Sequence, residues 1–194
     1  MVNNLKESLV TLKENFKAIQ QDEKDKNKAF KKFLDLLSEF LQKSFGLEED
    51  EVSVLITDKK ESIISFVKPN YLVNSGMIPL TSQDSVAAQA INNSKAKVLN
   101  HIKKKRHSSI FEHVKHPSKT VYPVQKLMAV PLLLNGKKYG VIELMRKGLT
   151  ASDSGPDWTE DDLKNMVEIV KEIVSFFAYF KPEDYKPTLV EDEK

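Results

Sequence analysis

The chain has 194 residues, 40% of them apolar and 30% charged, and a formal net charge of +2. That is enough for one domain with a hydrophobic core, while the near-neutral balance and an arginine complement of only Arg106 and Arg146 argue against nucleic-acid or membrane recruitment by charge. The absence of cysteine excludes disulfides, thiol nucleophiles and Cys-based metal sites.

The first 20 residues are amphipathic and charged, unlike a signal peptide, and no stretch reaches the roughly 20 apolar residues that span a bilayer. A cytoplasmic location is expected. Leu5, Leu9, Leu12, Phe16 and Ile19 alternate in steps of four and three. This narrow heptad seam predicts a helix over 3–21 that pairs with another helix. Residues 1–26 are therefore read as an N-terminal helix and a possible dimerisation element. A homodimer built on the terminal helices is expected, in which the seam meets a second chain; the alternative is that it folds back onto the last helix of its own chain.

A second helix is predicted over 29–44, with a wide apolar stripe of Phe30, Phe33, Leu34, Leu37, Phe40 and Leu41 and a stop at Gly46. Residues 51–57 and 62–68, joined by the polar turn 58–61, read as a hairpin. A short helix follows over 82–93, capped by Ser82 or Asp84, and then a short strand around Val98 and Leu99. The segment 102–123 is irregular. It opens on Lys103–Arg106, holds three histidines, and has a short helical stretch at 109–115.

The strongest local signal is Leu127–Leu134, Asn135-Gly136 and Tyr139–Met145, two strands across a type I′ turn. Pro131 is expected at an edge or bulge. Thr159-x-x-Asp162 opens a last helix that runs to about Phe180 and stops at Pro182. Its apolar stripe is wider than one sheet contact needs. Residues 182–194 are read as an acidic disordered tail.

The order of elements describes an α+β domain, an antiparallel sheet with helices packed on it. Its pieces resemble the GAF domain family over about residues 30–180. They are Ala129-Val130-Pro131-Leu132, then Asn135-Gly136, then Tyr139-Gly140-Val141-Ile142-Glu143-Leu144, then Trp158-Thr159-Glu160-Asp161-Asp162-Leu163. Ile78-Pro79-Leu80, Ser85–Ile91 and Val98-Leu99-Asn100 resemble the family's middle section. The resemblance implies a GAF-like (profilin/PAS-related) central antiparallel sheet over 27–181, flanked by N- and C-terminal helices.

It also implies a ligand between one sheet face and the segment 100–122. The wall residues would be Val98, Asn100, Phe111, Tyr122, Met128, Val130 and Glu143. Val98, Met128 and Val130 read equally as plain core. Asn100 and Tyr122 bring polar atoms that can instead tether a loop. Glu143 interrupts an apolar strand and faces either solvent or a cavity, where it would suit a cationic or hydrogen-bond-donating ligand.

No metal site is expected. His113 and His116, with Glu112, lack an established ligand spacing and fit a hydrated basic loop. The family's bilin attachment and its methionine sulfoxide reductase chemistry both require cysteine. No Ser-His-acid or paired-carboxylate constellation is recognisable, so no catalytic residue is assigned. The expected function is a non-catalytic sensory domain that binds an unidentified small molecule and signals to a separate output protein through its terminal helices. The alternative is a ligand-free dimerisation scaffold.

Overall fold

A computed structural model describes residues 2–102, 114, 116–118, 120–183 and 185. Phe111, the helical stretch expected at 109–115 apart from Val114, the Lys103–Arg106 run and most of the tail lie outside the described residues.

Two long helices come first, α1 (Val2–Asp22) and α2 (Lys26–Phe45). Asp25 caps α2 by accepting from the backbone N–H groups of Asn27 and Lys28, and Gly46 ends it in the left-handed conformation. Strands β1 (Val52–Thr57) and β2 (Ile63–Lys68) form the expected hairpin, with Asp58 accepting from the N–H groups of Ser62 and Ile63 in the turn.

The edge strand β3 (Met77–Pro79) precedes α3 (Val86–Asn92). That helix begins later than its sequence suggested. Its cap is Ser85, whose hydroxyl accepts from the N–H of Ala88, rather than Ser82 or Asp84. After β4 (Lys97–Leu99), the strands β5 (Val124–Leu134) and β6 (Lys137–Lys147) pair across Asn135-Gly136, both at positive φ. Helix α4 (Glu160–Phe180) opens on the Thr159/Asp162 capping box.

The six strands form one sheet in the order β3-β2-β1-β6-β5-β4, every neighbouring pair antiparallel. Gly140 lets β6 approach β1, since a Cβ there would lie 2.1 Å from the Leu55 carbonyl oxygen. Pro131 sits in β5 opposite Val141 of β6 and beyond the end of β4, whose pairing stops at Ala129, so β5 is an edge at this position.

Helices α1, α2 and α4 cover one face of the sheet and α3 packs on the other, against β5 and β6. Alternation along each strand therefore sorts side chains into two cores. Val52, Val54, Ile56, Met128, Val130, Ile142 and Leu144 meet the three long helices. Leu55, Leu127, Ala129, Val141 and Met145 meet the α3 side.

The α1 seam closes within the chain. Leu12 and Phe16 are buried, and Leu5, Leu9 and Ile19 are partly buried against the same core. Phe16 contacts Phe33, Phe176 and Phe180 at ring-centroid distances of 4.5, 5.4 and 6.4 Å. This explains the wide stripe of α4, which serves β5 on one side and α1 and α2 on the other. The apolar surface that motivated a dimer through this seam is thus covered in part by the chain's own helices. Among the described residues, no helix is long and apolar enough to cross a membrane.

Candidate functional site

Of the seven residues expected to line a ligand space, Phe111 lies outside the described residues and the other six do not converge. Val98 stands opposite Met128 in the β4–β5 register, and both, with Val130, face the three-helix layer as core. Asn100 is a tether. Its Oδ1 accepts from the N–H of Trp158 at 2.9 Å, and its Nδ2 donates to the Trp158 carbonyl at 3.0 Å. Tyr122 is 44% exposed. Glu143 alone projects into the α3-covered face, between Val141 and Met145 on β6.

That placement resolves the two readings of Glu143 in favour of the interior. Its side chain is 7% exposed, and no described residue bonds or pairs with it. Burial alone pushes its carboxyl up to about 7, because the ionised form has lost its water. Directly opposite on β1 stands Ser53, fully buried, with a hydroxyl oxygen that has no hydrogen-bond partner. Opposite on β5 stands Ala129.

A carboxyl flanked by two small residues at the middle of the sheet is an unusual use of a core position. Buried polar groups are almost always partnered, and here two neighbours have no partner among the described residues. Sequence reasoning missed Ser53 because it alternates with Val52, Val54 and Ile56 and so reads as the solvent side of a hairpin. Its central place between β2 and β6 was the missing information.

The surroundings are apolar: Leu55, Phe66, Leu127, Val141 and Met145 from the sheet, and Val86, Ala87, Ala90 and Ile91 from α3. The small side chains of α3 suit its close packing on β5 and β6. Further along the same strand face, Lys147 is committed to Asp50 at 2.9 Å and lies 3.4 Å from the Tyr71 hydroxyl, so it does not neutralise Glu143. Tyr71 is itself pushed up to about 12, by burial first and the Asp50 charge second. Its ring meets that of His116 at 4.8 Å, which joins the segment after β4 to this end of the sheet. Chemically, the face offers a carboxyl that can donate when protonated or receive a donor when ionised, beside a hydroxyl that can do either.

Among the described residues, no group of three or more His, Cys, Asp or Glu side chains could hold a metal ion.

No family model and no curated protein matches the sequence. Solved structures do match in shape. The GAF domain of an Acinetobacter phosphoenolpyruvate-protein phosphotransferase is similar with a TM-score of 0.64 at 14% identity, covering 92% of this chain and 96% of that one. Free methionine-R-sulfoxide reductase from Neisseria meningitidis, in complex with its substrate, gives 0.60 at 18% identity over 90% and 88%. The GAF-B domain of DevS from Mycobacterium smegmatis gives 0.53 at 13% identity over 80% and 94%. These likenesses establish the architecture as the α+β fold of GAF domains.

Proposed function

On the premise of a GAF-like fold, we propose that this chain is a regulatory module that holds a small molecule on the α3-covered face of its sheet, with Glu143 and Ser53 as the polar anchors. The observation that carries the reading is the pair itself: two adjacent, buried polar side chains, neither with a partner among the described residues, surrounded by apolar side chains. Binding sites are mostly apolar with a few placed polar groups, and this face has that composition. The ligand would present an N–H donor to Glu143. A cationic donor would hold the carboxylate ionised, and the Ser53 hydroxyl would take a second polar atom.

The fold alone does not decide between sensing and catalysis. Two similar structures are methionine sulfoxide reductases. A thiol-based reduction has no nucleophile in this cysteine-free sequence, and we favour binding without turnover. Occupancy would be relayed to an output protein through the long helices, because β5 and β6 contact α3 on one face and α4 meets β5 on the other.

The test is a thermal-shift screen of the full chain at pH 8 against amines, amino acids and nucleosides, run in parallel on Glu143→Leu. Compounds that raise the wild-type melting temperature and leave the variant unmoved are expected; a ligand at 100 times its Kd adds about 2.7 kcal/mol. A panel in which every hit shifts both proteins equally would remove Glu143 from the site.

A further inference from the structure

On the other face of the sheet, two buried donors also lack an acceptor: Nε of Arg146 and Nε1 of Trp158. Trp158 is 4% exposed and belongs to the core under the three long helices, while Arg146 is half-buried on the same side of β6 as Ile142 and Leu144. The two side chains are stacked, with the guanidinium carbon 4.3 Å from the indole centroid. Stacking uses the flat face of the guanidinium and leaves its N–H edges for hydrogen bonds.

The surroundings supply no acceptor to those edges. Among the described residues the Arg146 side chain has no ion-pair or hydrogen-bond partner. Three of the carboxylates near Trp158 in sequence are used elsewhere: Asp157 pairs with Lys126 at 2.9 Å, Asp161 with Lys164 at 3.3 Å, and Asp162 accepts from Thr159 in the helix cap. Asn100 bonds both the N–H and the carbonyl of Trp158 and so anchors the backbone that carries the indole. Gly155, at φ +83°, lies against the guanidinium. A Cβ there would come within 3.2 Å of Nη1, so glycine keeps this edge open.

We propose that Arg146 and Trp158 form a binding site for an oxyanion, a carboxylate or phosphate group of a small molecule. It is received by the guanidinium edge and the indole N–H together. A planar fork suits two oxygens of one anion in a way that an ammonium does not. The chain, which otherwise uses lysine almost throughout, places one of its two arginines here. The site lies on the opposite face of the sheet from Glu143 and does not depend on it.

Trp158 is the only tryptophan, so a single indole N–H resonance reports on the site. The full chain is titrated with sodium acetate and, separately, with inorganic phosphate, chloride keeping the ionic strength constant. A saturable movement of that resonance is expected, and the arm that saturates at the lower concentration identifies carboxylate or phosphate as the preferred group. Arg146→Gln should weaken saturation at least tenfold. Arg146→Lys, which keeps the charge and loses the fork, should weaken it too and serves if the glutamine variant does not fold. An unmoved resonance in both arms would mean that water completes these donors, and the proposal would fail. It would fail equally if Arg146→Lys saturated like the wild type.

Discussion

Glu143 makes the stability of the molecule depend on pH in a direction opposite to that of a salt-bridged acid. Its folded-state pKa of about 7 lies above the 4.5 of an ordinary glutamate. Below pH 4.5 both folded and unfolded chains carry the proton and the group contributes no difference. Between pH 4.5 and 7 the unfolded chain releases it first, so stability falls. Above pH 7 the full loss has accumulated, about 3 kcal/mol for this shift. Glu143→Gln, which cannot ionise, should therefore be stabilised relative to the wild type by more at pH 8 than at pH 5. Urea unfolding at the two pH values measures this, and an equal difference at both would mean that the carboxyl has found a partner. The sequence showed a carboxylate interrupting an apolar strand but not its direction, because direction depends on which strands flank β6. Asn100 carries the same lesson: its residue type indicated hydrogen bonding, and only the fold brought Trp158 to it across 58 residues.

At the scale of the element, α1 is part of the core. Phe16 is fully buried among aromatic rings from α2 and α4, so Phe16→Ala should cost about 3–5 kcal/mol in urea denaturation. Val10 on the same helix is 52% exposed, and Val10→Ala should stay within about 0.5 kcal/mol. If Phe16→Ala were neutral, α1 would not be docked as described. The heptad spacing predicted a helical partner correctly and was silent on whose helix it was, since the steps of four and three are satisfied equally by a neighbour in the same chain. Gly140 offers a second test. A methyl group there would overlap the Leu55 carbonyl, so Gly140→Ala should destabilise by about 1–3 kcal/mol through forced separation of β1 and β6. No loss of stability by thermal melting would contradict the close approach of the two strands. Both hairpins and the long helices were legible because each carries its own signal: periodicity, Asn-Gly, a capping box. The start of α3 was not, because Ser82, Asp84 and Ser85 are all competent caps and packing on β5 and β6 selects among them.

For the whole molecule, the two faces of one sheet are put to different uses. The side under α1, α2 and α4 is filled with large apolar side chains and two phenylalanine-rich helices. The side under α3 surrounds a carboxyl and a hydroxyl that have no partner among the described residues. The order of strands could be read from the sequence only through the family resemblance, since no local pattern says that β1 lies beside β6. For the same reason the expected wall residues mixed the two faces: Met128 and Val130 are neighbours of Glu143 in the register and yet point away from it. The central claim is that the α3 face holds a small molecule anchored at Glu143. Native mass spectrometry of the purified full chain, beside Glu143→Leu, tests it most directly. The account predicts a non-covalent adduct of small-molecule mass on the wild type, absent from the variant; a wild-type spectrum containing only the bare chain, from protein kept under non-denaturing conditions throughout, would contradict it.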